Sequence, residues 1–130
     1  MIKFERMDVD GACKYLDNLY AKLEADTDDV HRKATFALLR EIMPPLYRWR
    51  MAWPGLERAD YTAILAEACV CMLTESVMNA ARGDPDIAER LIGGHVLPAM
   101  AMMFAQKLMA VRTAQERGET IPAFKLPVMS

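Results

Sequence analysis

Uncharged polar side chains are scarce in this 130-residue chain: two Ser, six Thr, two Asn and two Gln. With Ser76 and Ser130 as the only serines, there is almost no material for a serine triad. Histidine is equally thin, at His31 and His95. Asp28 and His31 stand at the helical spacing Asp-x-x-His, but no Glu-x-x-His pair or second His-bearing helix pattern accompanies them, as a di-metal bundle would require. They read as an ordinary first-turn polar cluster, and no metal or other cofactor is expected.

The three cysteines, Cys13, Cys69 and Cys71, are odd in number. Cys69 and Cys71 point about 200° apart on a helix, so they neither bridge each other nor share a metal. A Cys–His dyad would have to join Cys69 or Cys71 to His95, whereas helical cysteines of this kind are usually inert small hydrophobes. Gly93-Gly94 precedes His-Val-Leu-Pro and lacks the Lys-Ser/Thr of a phosphate-binding loop. The chemistry-bearing residues therefore predict a protein that is not an enzyme. The opening residues, Met-Ile-Lys-Phe-Glu-Arg, do not form the apolar stretch of a signal peptide, and free thiols fit a reducing compartment, so the expected location is cytoplasmic. Arg82-Gly83-Asp84 spells a cell-adhesion tripeptide, which has no use in that setting.

Strand punctuation is also missing: Asp10-Gly11 has no alternating runs on both sides. What remains is dominated by Ala, Leu and Met, all good helix formers. The predicted class is all-α: one bundle of four main helices over residues 1–120, with breaks near Pro44-Pro45 and Gly93–Pro98, then an extended arm over 121–130.

The first helix should begin at Asp8 or Asp10. It carries the apolar stripe Val9, Ala12, Cys13, Leu16, Leu19, Tyr20 and Leu23, opposite Lys14, Asp17, Asn18, Lys22 and Glu24. Thr27 is a candidate cap for a second helix over about 30–43, which Pro44-Pro45 should stop or bend, with a short helical piece following to Ala52. A third helix over about 59–81 is apolar nearly all round, the pattern of a helix buried on most sides. Gly83-Asp84-Pro85 is a stop-and-restart signal. The fourth helical region reaches Arg117, broken by Gly93-Gly94 and Pro98. The longest uncharged run, Leu91 to Gln106, falls short of the ~20 residues a spanning helix needs, so no membrane segment is expected.

Formal net charge is −2, which argues against a protein built to neutralise nucleic-acid phosphate. That near-neutral total hides blocks: residues 1–30 hold four basic and eight acidic groups, while 31–58 hold six and two. At the basic centre lies Tyr47-Arg48-Trp49-Arg50-Met51-Ala52-Trp53. Trp, Tyr and Arg dominate binding energy at protein interfaces, so Tyr47, Arg48, Trp49, Arg50 and Trp53 form the candidate contact face for an acidic or aromatic protein partner. Core roles for the tryptophans are the plainer reading. Stacking on single-stranded nucleic acid is a weaker one, because the surroundings are acidic.

Methionine is in excess, eleven in all, with four between positions 100 and 109. Residues 96–105 contain no polar side chain, so something must cover them. Leu97, Ala101, Phe104 and Leu108 follow the alternating spacing of a coiled-coil seam and are the expected homodimer contact. The alternative is a small apolar ligand in a pocket of Cys71, His95, Met100, Met103 and Phe104. The function that fits these features best is a non-catalytic, homodimeric interaction module: an adaptor, assembly chaperone or inhibitor.

Overall fold

The structure is a computed structural model that describes residues 6–119. The chain is all-α, with no strand among the described residues. Its helices are α1 (Val9–Ala25), α2 (Val30–Ala52), α3 (Arg58–Ala80), α4 (Pro85–Leu91) and α5 (Leu97–Glu116), with one π-helical turn, Ile92–Val96, between the last two. Backbone dihedrals stay helical through Ile92 and Leu97, so α4, the π turn and α5 form the fourth main helical segment. The arm over 121–130 lies outside the described residues.

Local chemistry explains the starts. Asp8 caps α1 by accepting from the Gly11 amide at 3.1 Å. The α2 cap is Asp29 rather than Thr27: its carboxylate accepts from the amides of His31 and Arg32 at 2.9 and 3.4 Å. Thr27 instead accepts from the Asp29 amide at 3.2 Å and shapes the approach to the cap. Asp84 caps α4 through the amides of Asp86 and Ile87, with Pro85 at the first helical position, where a missing N–H costs nothing.

The expected stop at Pro44-Pro45 is corrected. Helix α2 does not stop at Pro44-Pro45 but continues to Ala52. The two prolines withdraw the donors that would reach the carbonyls of Arg40 and Glu41. Packing holds the segment helical nonetheless: Met43, Tyr47 and Met51, spaced by four, all pack into one core with Met7, Ala12 and Leu16. The end of α3 is a Schellman turn, in which the Gly83 amide donates to the Met78 carbonyl at 2.9 Å and the Arg82 amide to Asn79 at 3.1 Å. The left-handed position is taken by Arg82 at φ 54°, and Gly83 follows at φ 81°.

The chain divides into two compact units, the first ending at Tyr61 and the second beginning at Thr62. In the first, α1 packs along α2 around Met7, Ala12, Leu16 and Tyr47. Arg40 fastens the pair at the surface, 2.9 Å from Asp17 and 3.3 Å from Glu24, and the Lys33 ammonium donates to the Glu24 carbonyl at 3.0 Å. In the second, Val77, Ala81 and Ala88 form a small core at the α3–α4 corner, flanked by Met78, Leu91, Ile92 and Val96. Away from that corner α3 is not buried on most sides, as its sequence predicts, but exposed: Val70 is 60% accessible. The reason is topological, since α5 does not pack along α3 within one copy.

Candidate interaction surface

The Arg/Trp segment is the last two turns of α2 with its cap, and the fold divides its members. Tyr47 is a core residue at 3% accessibility, so it offers no contact face. Burial pushes its phenol above the ordinary pKa, partly offset by the nearby Arg50 charge. The Arg50 guanidinium lies over the Tyr47 ring, 5.7 Å from its centroid. Trp49 is half-buried and meets the Tyr61 ring edge-on, with centroids 5.6 Å apart and planes at 89°. Arg48 and Trp53 are exposed, Trp53 at 58%. Of the five candidates, Arg48 and Trp53 are thus exposed, Trp49 and Arg50 half-buried and Tyr47 buried.

Tyr61 is the residue that sequence reasoning missed. Its hydroxyl donates to the carbonyls of Arg50 and Trp53, closing the turn between α2 and α3 while its ring supports Trp49. Its position after Asp60 in the first turn of α3, at the foot of a Trp-Pro-Gly turn, was the available signal.

Next to this segment, Arg6, Met7, Asp8, Val9, Asp10, Met51 and Pro54 line an open cleft of about 620 Å³. Its Arg6, Asp8 and Asp10 are of mixed sign and make no nucleophile–base pair. Cys13, packed against the neighbouring core, has its thiol pushed up by burial, against a smaller opposing effect of Arg48. Among the described residues, no group of three or more His, Cys, Asp or Glu could hold a metal ion.

The second unit carries the other surface. Leu97, Ala101, Phe104 and Leu108 are all exposed, as are Met102, Met103 and Met109 around them. Ile64, Val70, Met72 and Leu73 are exposed on α3. Of the residues considered for a ligand pocket, Cys71, His95, Met103 and Phe104 are exposed and Met100 half-exposed, so one copy does not enclose a cavity with them. Nor do Gly93 and Gly94 mark a close approach of backbones, because nothing lies within 4 Å of a Cβ built on either. They sit in the π turn, where the Leu97 amide reaches back to the Ile92 carbonyl.

Helix α3 is long and apolar enough to cross a membrane by length and composition, with a mean hydropathy of 1.4 over its best 18-residue window. Glu67 and Glu75 lie within the helix, and a carboxylate near the middle of a bilayer costs about 2.5–3.5 kcal/mol.

These features define an all-α protein with two distinct exposed surfaces, one of Arg and Trp and one of Met, Leu and Phe. Compared with protein-family models, with curated proteins and with solved structures, the chain shows no significant match.

Proposed function

We propose that this chain is a non-catalytic protein–protein interaction module, an adaptor, assembly chaperone or inhibitor, acting in the cytoplasm as a homodimer and without a cofactor. One observation carries the reading: the seam side chains Leu97, Phe104 and Leu108 stand in solvent on a helix that has no buried residue. A helix apolar nearly all round is stable when other protein surrounds it. Arg48 and Trp53, exposed on the other unit, are the contact for an acidic or aromatic partner. Membrane binding and nucleic-acid binding are not part of the proposal, the first because of Glu67 and Glu75, the second because the chain is net acidic.

The test is absolute mass by light scattering over a dilution series. A mass near twice 14.7 kDa that falls on dilution supports the module. A monomer at all concentrations refutes it. A persistent non-protein mass in native mass spectrometry would favour the alternative, a small apolar ligand held by the Met-rich helix.

A further inference from the structure

We infer that a second copy covers the second unit, with α3 of each chain packing on α5 of the other. This rests on the homodimeric reading above and specifies its pairing. Ten large apolar side chains on α3 and α5 are exposed. At about 200 Å² for a fully exposed residue of this size, their exposures amount to roughly 1,100 Å² per copy. These side chains surround both helices, so one neighbour faces about half of that surface, and two copies would bring roughly 1,100 Å² of apolar surface together, above the ~1,000 Å² that a specific interface needs.

Charge selects the pairing. Between Thr62 and Ala80, α3 has Glu67 and Glu75 and no basic residue. Helix α5 has Lys107 and Arg112 and no acid before Glu116. All four groups are exposed, and no ion pair among the described residues uses them. Packing α5 on its own copy in the partner would set Lys107 and Arg112 against like charge, as would α3 on α3 with its two glutamates. Only the crossed arrangement, α3 on the partner's α5, opposes unlike charges, and a two-fold axis repeats it on both sides.

Two double variants of the full chain test this: Lys107→Glu with Arg112→Glu, and Glu67→Lys with Glu75→Lys. Because all four side chains are exposed, both variants are expected to keep the wild-type helical circular dichroism. Each alone sets like charges across both crossed contacts, so its dissociation constant should rise at least roughly tenfold. An equal mixture should recover the wild-type mass by light scattering, with the mixed dimer identified by native mass spectrometry. If the glutamate-to-lysine variant alone dimerises as well as wild type, crossed pairing is overturned while the dimer stands. If the wild type is itself a monomer, the homodimeric reading fails with it. Co-sedimentation of the wild type with phosphatidylcholine vesicles, unchanged in both variants, would overturn the pairing in favour of a lipid surface.

Discussion

Truncating Phe104 to Ala tests the apolar surface most directly. The residue is 64% accessible in one copy, about 130 Å² for a ring of this size. If a second copy covers it, that burial contributes about 3 kcal/mol per chain, of which Phe104→Ala removes about 2. A two-fold dimer loses this twice, about 4 kcal/mol, which raises the dissociation constant roughly a thousandfold. Area overstates binding free energy, since ordering costs offset part of it, and half the effect still gives roughly thirtyfold. The expected window is therefore thirty- to a thousandfold, read by light scattering or sedimentation equilibrium. The isolated chain should hardly respond, because surface substitutions stay within about 0.5 kcal/mol. Urea unfolding at concentrations below dissociation should accordingly match wild type. A change in dissociation constant of less than threefold would refute the reasoning.

The remaining expectations concern folding. Tyr61→Phe keeps the ring under Trp49 but removes the hydroxyl that ties Arg50 and Trp53, and should lower the unfolding free energy by about 1–1.5 kcal/mol in a urea titration followed by Trp fluorescence. Arg82→Gly relieves a non-glycine residue at φ 54° and should stabilise the chain by about 0.5–1 kcal/mol, seen as a higher Tm; a loss would mean that the Arg82 side chain holds the corner. The phenols of Tyr47 and Tyr20 are raised by burial, so the unfolded chain ionises first as pH rises. Their contribution is complete below the ordinary tyrosine pKa of about 10 and is lost above it as pH climbs through the folded values. Tyr47→Phe should flatten that alkaline loss in denaturant midpoints measured across the range; an unchanged slope would place the effect elsewhere.

The parts of this fold that sequence reveals are those governed by local chemistry. Val9 to Leu23 announces α1 because its apolar spacing matches one helical face, and Asp8 and Asp84 mark caps because their carboxylates accept from amides two or three residues away. What local chemistry does not decide is where a helix lands. Pro44-Pro45 signals a stop, yet the contacts that overrule it come from α1, some thirty residues earlier. Tyr47 and Trp53 look alike as aromatic neighbours of arginine, and only the α1–α2 packing sends one inward and leaves the other in solvent. The apolar girth of α3 is plain in the sequence, but the pattern states that a cover is needed without stating whose. Tyr61 shows in the sequence only through its place after a Trp-Pro-Gly turn, because its partners are main-chain carbonyls, which leave no trace in residue type.

The π turn at Ile92–Val96 has a consequence for how this chain can vary. A π turn holds one residue more than an α turn, and it acts as a phase adjuster between α4 and α5. Upstream, Ala88 is locked into the α3–α4 corner, so the azimuth of everything downstream is counted from there. Removing either Gly93 or Gly94 would restore an α-helical count, and because the π turn takes up its extra residue within a single turn, the stripe from Leu97 to Leu108 would keep its azimuth. The same loss in a regular α-helical stretch, at Ala99 for example, would rotate everything downstream by about 100° about the helix axis. The chain can therefore shed one residue at the π turn and still offer the same side of α5, whereas a deletion within α5 presents a different side to whatever it meets.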